Sequence, residues 1–598
     1  MNYTLVCDSE KKNWPKNNNL YYLGYWCLEK TDQSFRNLEK FKIINCKERN
    51  DEQTKEDLKI INNLYFTLID ELTIFFNKFH KKKFSKKFWE IVIGPWVKVF
   101  LGIVYERYLS IKKVLSTQEI EKIILVNYTK NDFMNDNVTD LENKASNNIN
   151  QWNTVLYTIL YEFLNKKENN KIAKFEIIKN ENNLKKSKKS LKYFIICLIK
   201  KSLKYFIISL LNKFNFVKKD FFIYNFDLKF KYLFYLFFSL GHFPIIITEN
   251  NYEKKKIDLN LREKLNFKKT NVSEFESFIR ENLQYFLPTD FVENFDNILS
   301  KVERTNWPKN PKYIFTSFGY HGDEFFGIYL ASKIEKNSNY ILHQHGSNYF
   351  TGKNTIVDYG FSSCNRFISW GNSSNQKCLP LFNTKNIDIK TSKKNGENIL
   401  FFGPKMSPNR KRPYDEYSKI VRDSIMLEKV MNNLNDNLKK KSILKLYSNT
   451  RQSENLEKKI LSEIIFKRNK FHISRSKINQ KLINESRISV HSGDGTAFLE
   501  CLAIKKPTVC LLENLNWIRE EVREDYNELI KAKIIFSTYD KLSSHINEVY
   551  NEIDKWWFDD EVKRARDKFC RKYSQPAPKH GIKKFSKLLK EIINGKYN

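Results

Sequence analysis

Glycine and proline are scarce in this sequence, 17 and 13 of 598 residues, so a local concentration of glycine marks a backbone need. The nine cysteines, at 7, 27, 46, 197, 364, 378, 501, 510 and 570, make no Cys-x-x-Cys pair and no Cys/His set at zinc-finger spacing. A disulfide framework and a structural zinc module are thereby excluded, and a reducing compartment is expected. No Asp-x-Asp triplet occurs, which argues against a two-carboxylate grip on a metal–nucleotide complex. Metal-independent chemistry and no cofactor are expected. The opening MNYTLVCDSEKK places acidic residues where a secretory apolar region should be, so a cytoplasmic location is expected. Long apolar runs are missing as well. The nearest to a membrane span, YLFYLFFSLGHFPIIIT at 232–248, is 17 residues long and contains His242 and Pro244, and is expected to be buried core.

What is abundant is positive charge. Lys plus Arg number 104 against 69 Asp plus Glu, a formal charge of +35, while 41% of residues are apolar and 15% aromatic. Such a chain is globular. Its charge leaves nucleic acid, an anionic membrane surface and phosphorylated substrates as partner classes. Abundant Lys with Asn and Ile also arises from nucleotide bias in a genome. Length allows three or four domains, or two large ones with insertions.

Residues 3–7 (YTLVC) and 20–27 (LYYLGYWC) predict two strands opening an α/β domain. From about 50 to 290 the periodicity is helical, as in IINNLYFTLIDELTIFFNKF at 60–79, predicting a helical insertion. Inside it KKSLKYFIICLI (188–199) is followed at once by KKSLKYFIISLL (200–211). This tandem copy reads either as a duplicated surface helix or as a basic amphipathic element, spanning 185–214, against an anionic leaflet. After 300, PKYIFTSF (311–318), NYILHQHG (339–346), RFISWG (366–371), ENILFFGP (397–404), KSILKLYS (441–448), ISVHSGDG (488–495) and KPTVCLLE (506–513) predict strands, each followed by a turn. That alternation is the pattern of parallel βα units. Nine glycines fall between 319 and 403, with Gly493 and Gly495 beyond, so the turns needing free backbone lie where open α/β sheets hold ligands.

Three constellations stand out. In HSGDGTAFLECLAIKKPTV (491–509) a strand runs through Gly493 and Gly495 into a helix start, where backbone N–H groups, Ser492 and Thr496 suit a phosphate and Glu500 suits ribose hydroxyls. An ordinary helix start with no ligand fits the same pattern. In SFGYHGDEFFG (317–327) and ILHQHGSNYFTG (341–352), His321, His343 and His345 lie at strand ends, as His491 does in the first block. An imidazole there suits proton transfer, with Asp323 or Glu324 as orienting partner or base, and structural roles are the alternative. In GPKMSPNRKRP (403–413), Lys405, Arg410 and Arg412 can neutralise a departing diphosphate, or form a solvated basic loop.

The order of WPKNNNLYYLGYWC (14–27), WEIVIGPWVKVFLGIVYERY (89–108), WPKNPKYIFTSFGYHGDEFF (307–326), QHGSNYFTG (344–352), RFISWG (366–371), GDGTAFLECLAIKKPTV (493–509) and WWFDDEVKRARDKFCRKY (556–573) resembles a bacterial transferase family of surface-polysaccharide and O-antigen loci. The resemblance covers nearly the whole chain, and 110–290 is its weakest part. It implies an α/β fold of GT-B type with two Rossmann-like domains: 1–395 with the helical insertion, 396–555 holding the nucleotide donor, and 556–598 returning to the first. The turn Gln344-His345-Gly346 is similar in placement to the Trp-His-Gly turn of teichoic-acid-type glycerophosphotransferases, which implies His345 as general base. In both groups a hydroxyl-bearing helix start holds the donor phosphate, here Thr496. This chain departs from the family pattern at 345–349, where HGSNY stands for HGGNY.

The resulting expectation is a glycosyltransferase moving a sugar from a nucleotide donor to a glycan or lipid-linked acceptor. The donor lies at Ser492, Gly493, Gly495, Thr496 and Glu500 with Lys405 and Arg410, and His345 acts with Asp323 or Glu324. A CDP-linked polyol-phosphate transferase uses the same residues. A basic nucleic-acid-binding protein is the alternative of another class, but no recognition motif supports a specific nucleic-acid partner.

Overall fold

Sixteen short strands, every pair of them parallel, make three sheets among the described residues. The structure is a computed structural model that describes residues 3–16, 19–28, 41–44, 50–146, 152–168, 174–178, 220–241, 254–347, 349–353, 355–389, 396–403, 417–445, 472–474 and 480–597. The first sheet has the order β3-β2-β1-β4-β5, from β1 (Tyr3–Val6), β2 (Leu20–Tyr22), β3 (Lys42–Ile43), β4 (Ile120–Val126) and β5 (Lys174–Ile178). The second runs β10-β9-β8-β7-β6, from β6 (Phe221–Tyr224), β7 (Tyr313–Thr316), β8 (Asn339–His343), β9 (Arg366–Ser369) and β10 (Cys378–Pro380). The third runs β13-β12-β11-β14-β15-β16, from β11 (Asn398–Phe402), β12 (Ser442–Lys445), β13 (His472–Ser474), β14 (Ser486–His491), β15 (Thr508–Leu511) and β16 (Ile535–Phe536). Strands such as β6 (FFIY) and β15 (TVCL) are buried along their whole length. Sheets covered by helices on both faces require such unbroken runs of aromatic and β-branched residues.

The boundaries inside 1–395 differ from the sequence expectation. The stretch 50–290 does hold long helices, Asp51–Phe79 and Lys86–Leu115 among them. It also holds β4, β5 and β6. β4 and β5 complete a sheet with β1–β3, while the sheet that ends at His343 starts only at β6. Two sheets therefore occupy the span read as one domain with a helical insertion. Four- to seven-residue apolar runs cannot be told from buried helix by periodicity alone, and here they sit between strongly helical segments.

Helix Lys86–Leu115 forms the column between these two sheets. It has the length and hydropathy to cross a membrane, but 94% of its apolar window is buried inside the protein. It packs on Asp51–Phe79 and on the Glu324–Ile334 helix of the second sheet. Gly94 makes the crossing close: a β-carbon there would stand 2.8 Å from the Tyr359 ring and 2.9 Å from Tyr65 Oη.

The run 232–248 is not simply buried core. Tyr232, Leu236 and Phe237 of the Phe230–Ser239 helix are buried, whereas Phe234, Tyr235 and Phe238 face solvent. Its remainder from His242 onward lies outside the described residues. At the other end of the chain, the Asp560–Tyr573 helix packs on the third sheet's helices. The chain then crosses: Gln575 N–H donates to Trp370 O at 2.6 Å, and a β-carbon on Gly371 would lie 2.3 Å from Lys572 O. The last helix, Gly581–Ile593, buries Ile582, Phe585, Leu589 and Ile592 against the second sheet.

Candidate functional site

In the third sheet the chain leaves β11 for β12 and β13 on one side and returns through β14, β15 and β16 on the other. The order reverses between β11 and β14, and ligands of open α/β sheets bind outside the carboxyl ends at such a point. The turn Ser492–Gly495 leaves β14 there and runs into the Thr496–Ala503 helix. No side chain caps that helix, and a β-carbon on Gly493 or Gly495 would meet nothing within 4 Å. The turn is open above and held from below, where Tyr526 Oη donates to Asp494 Oδ2 at 2.5 Å. A shallow cleft, open to solvent, lies beside Ser492 along the ends of β14 and β15, bounded by Leu511, Glu513, Asn514 and Trp517. The basic turn with Lys405, Arg410 and Arg412 leaves the neighbouring end of β11 at Gly403, and those residues lie outside the described ones, as does 185–214.

The second sheet contributes the turn after β8. Gln344, buried, ties it down on two sides: its Oε1 accepts the Trp370 N–H at 2.7 Å and its Nε2 donates to Gly346 O at 2.9 Å. Its own N–H donates to Ile368 O at 2.9 Å. This clamp delivers the turn to the start of the third sheet's helix, where Thr496 Oγ1 accepts the Ser347 N–H at 3.2 Å. A β-carbon on Gly346 would stand 3.0 Å from the same oxygen. Close approach of the backbone thus occurs with serine at 347, because the main-chain N–H, not the side chain, makes the contact.

His345 sits half-buried at this junction. Its Nδ1 lies 2.7 Å from Tyr349 Oη, the Phe318 ring centroid is 4.1 Å away, and Tyr349 Oη is 3.4 Å from Tyr320 Oη. Burial pushes the Tyr349 hydroxyl well above the usual phenol range, so it keeps its proton. If that proton points to Tyr320, Tyr349 Oη accepts from His345 Nδ1–H, and the tautomer with a basic Nε2 is selected.

The other sequence candidates have different partners. His343 is fully buried between the Phe226 and Phe585 rings, with Ser317 and Thr384 hydroxyls at 3.0 and 3.2 Å. Burial holds its pKa well below the usual value, so it is neutral and structural. His491 is likewise buried, stacked on Phe402 at 4.4 Å, its pKa lowered by burial to about 3. Asp323 is a helix cap: Oδ1 accepts the Phe326 N–H at 2.9 Å and Oδ2 accepts from Tyr224 Oη. Glu324 reaches away from β8 to the start of helix Val138–Ser146, accepting the Val138 N–H at 2.8 Å. Burial, with Asp290 and Asp323 nearby, pushes it up to about 8. These contacts give Asp323 and Glu324 bracing roles in place of the expected one beside His345, since a carboxylate at a helix start is bound by the nearest unpaired N–H groups. His321 pairs with Glu142 at 3.1 Å on the same inter-sheet seam.

Glu500, one turn past Thr496, lies where two lobes meet, one built on the first and second sheets and the other on the third, near Lys385 and Asp227; burial pushes it up to about 7. Its carbonyl accepts from Asn386 Nδ2 at 3.0 Å. Residues the sequence did not flag include Tyr349, Tyr526 and Asp494, and also Asp51, which accepts from both Lys353 Nζ and Arg523 Nη2 at 2.6 Å. Among the described residues no group of three or more His, Cys, Asp or Glu is gathered as metal ligands are.

Two parallel α/β lobes, joined at strand carboxyl ends and recrossed by the terminal helix, make this a GT-B type α/β protein. The model described as LIC12162 family transferase matches residues 3–589, so the chain belongs to that family and is a transferase. No curated protein matches it. Solved structures similar to it include S. aureus MnaA with UDP, at 11% identity over 53% of this chain and 87% of that one (TM-score 0.32). A glycosyltransferase from Rickettsia africae is similar at 13% identity over 54% and 89% (TM-score 0.31). Anabaena HepE in complex with UDP and glucose is similar at 10% identity over 54% and 89% (TM-score 0.32).

Proposed function

We propose that the protein transfers a sugar from a nucleotide-activated donor to a hydroxyl of a glycan or lipid-linked acceptor, at the cytoplasmic face of a membrane and without a metal. The observation that carries this reading is the closure of the His345-Gly346-Ser347 turn on Thr496 at the third sheet's reversal point. One lobe brings an imidazole to the place where the other presents an uncapped helix start. The donor diphosphate lies over Ser492, Gly493 and Gly495, drawn by N–H groups and the helix dipole. The nucleoside extends into the cleft beside Asn514 and Trp517, its ribose toward Glu500. His345 Nε2 takes the acceptor proton as the hydroxyl oxygen attacks the anomeric carbon. The bond to the diphosphate breaks, and the departing charge is met by the helix start with Lys405 and Arg410.

Thermal shift of the full chain against CMP-, CDP-, UDP-, GDP- and dTDP-type nucleotides at low and high salt tests the donor. A ligand at a hundredfold its dissociation constant adds about 2.7 kcal/mol to stability. One nucleotide should stand apart and keep its shift in salt. Equal shifts that vanish with salt would reduce the effect to bulk charge and end the donor-site reading. Product mass then distinguishes glycosyl transfer from transfer of a polyol phosphate out of a CDP-linked donor.

A further inference from the structure

The Phe230–Ser239 helix (FKYLFYLFFS) is aromatic on both sides. Tyr232, Leu236 and Phe237 enter the core over the second sheet. On the other side Phe230 is 82%, Phe234 58% and Phe238 80% exposed, with Tyr235 beside them. Their spacing of four puts the three phenylalanines in one row along the helix. Three phenylalanines more than half exposed in a single row mark an interaction surface rather than the scattered apolar residues of any protein exterior.

The neighbouring helix, Gly581–Ile593, gives the row its chemical setting. The two touch through Ser239 Oγ and Ser586 Oγ, 2.7 Å apart. Both bury their apolar residues in the same cluster over the second sheet, so their outer faces look out together. The outer face of Gly581–Ile593 is Lys583, Lys584, Lys587 and Lys590, all exposed, and exposed Lys229 and Lys231 flank Phe230. The helix's one acid, Glu591, is engaged by Lys596 and Tyr597 at 3.0 Å each.

We propose that this two-helix layer docks the protein on an anionic lipid bilayer, with Phe230, Phe234 and Phe238 entering the boundary of headgroups and acyl chains and the lysines facing lipid phosphates. An aromatic row bordered by cations on one plane is the composition of an interfacial element. A second copy is the poorer occupant, since a two-fold contact sets the same lysine-covered face against itself. The inference rests on exposure and charge and holds whatever group the enzyme transfers.

The test is co-sedimentation of the full chain with phosphatidylcholine vesicles, with and without phosphatidylglycerol, for the wild type, two surface variants and a comparison variant with Lys188, Lys189, Lys200 and Lys201 replaced by Gln. Of the surface variants, one combines Phe230→Ser, Phe234→Ser and Phe238→Ser; the other combines Lys583→Gln, Lys584→Gln, Lys587→Gln and Lys590→Gln. Wild type should bind vesicles containing phosphatidylglycerol. The phenylalanine variant should lose about tenfold per residue, and the lysine variant about fivefold per residue, each with an unchanged melting temperature. Absence of any preference for phosphatidylglycerol in the wild type would overturn the proposal, as would wild-type binding by the phenylalanine variant. Binding that falls only when Lys188, Lys189, Lys200 and Lys201 become Gln would move the contact to 185–214 and overturn it too. A wild-type dimer that the phenylalanine variant converts to monomer would put a second copy on the row instead.

Discussion

Thr496 Oγ1, at the start of a helix in one lobe, accepts the main-chain N–H of Ser347 from the other at 3.2 Å, with Gly346 packed against the same oxygen. This contact sets how close the His345 turn comes to the helix start. It also means that Thr496 already serves the lobe junction before any donor arrives.

Gly346→Ala should therefore lower turnover, because the added methyl, 3.0 Å from Thr496 Oγ1, has to push the two lobes apart or rotate the threonine. Gly346 is not among the residues of positive φ, so its backbone tolerates alanine and the effect comes from contact alone. Overpacking of this kind costs about 1–3 kcal/mol. Thr496→Ala removes the obstructing oxygen. The double variant should be less impaired than the two single losses combined, and steady-state kinetics on all three proteins reads that coupling. Strict additivity would show that the two residues do not meet in the working enzyme.

His345→Ala is expected to reduce kcat by about 10²- to 10⁴-fold with little change in donor affinity, the range for loss of a general base. Tyr349→Phe leaves the ring's packing and removes the hydroxyl 2.7 Å from Nδ1, so kcat should fall about tenfold to a hundredfold with KM preserved. Since Tyr349 acts through the imidazole, the double variant should be no slower than His345→Ala alone. A further drop in the double variant would assign Tyr349 a packing role.

Several of these relationships were within reach of sequence and several were not. The seven strand-like runs after 300 all form strands, because each is a short, mostly buried apolar run, and most are closed by a glycine-marked turn. His345, Gly346 and Thr496 were legible for the same reason: each stands where a strand hands over to a turn or a helix. The bracing roles of Asp323 and Glu324 were hidden, since they depend on Tyr224 and Val138, about 100 and 186 positions away. β4, β5 and β6 were lost in a lysine- and asparagine-rich stretch of sequence, where a short apolar run carries no period of its own. The exposure of Phe230, Phe234 and Phe238 was equally invisible. Their helix is apolar all round, and composition cannot tell which side a sheet covers.

Glu324 gives the protein a pH dependence of definite sign. Its carboxyl titrates near 8 in the folded protein against an ordinary value of 4.5. A raised carboxyl contributes stability that is complete below the ordinary value and lost as pH rises through the folded one, up to about 1.4 kcal/mol per unit. Glu324→Gln keeps an oxygen for the Val138 N–H and never ionises. Its melting temperature should match wild type in acid, exceed it increasingly as pH rises from about 4.5, and keep a constant lead above about pH 8. The buried His491 acts in the opposite sense: its lowered pKa costs stability as pH falls from 6.5 toward 3. A wild-type and Glu324→Gln pair with the same difference at every pH would exclude this titration.

Asp51 offers the clearest test of how the lobes are held together. It opens the Asp51–Phe79 helix, yet its Oδ1 accepts from Lys353, in the segment after β8, and from Arg523, which opens a helix of the third sheet. Main-chain contacts run alongside, with Lys353 N–H donating to Trp517 O and Arg519 N–H to Thr351 O, both at 2.9 Å. Two cations hold the Asp51 carboxyl well below the usual carboxylate range. The carboxylate is about a quarter exposed, so solvent screens part of each pair, and Asp51→Asn should cost about 1–2 kcal/mol at low salt. A depressed carboxyl contributes stability that is present above its ordinary value of 3.8 and lost as pH falls through the folded one. The deficit of Asp51→Asn should accordingly shrink in acid and in high salt, which urea titrations across both conditions would read. Because Asp51 touches no part of the reaction centre, a variant that loses stability while its donor affinity is unchanged would separate the work of joining the lobes from that of binding substrate. A deficit constant in salt and pH would mean that packing of the helix start, and not the charge on Asp51, joins the lobes.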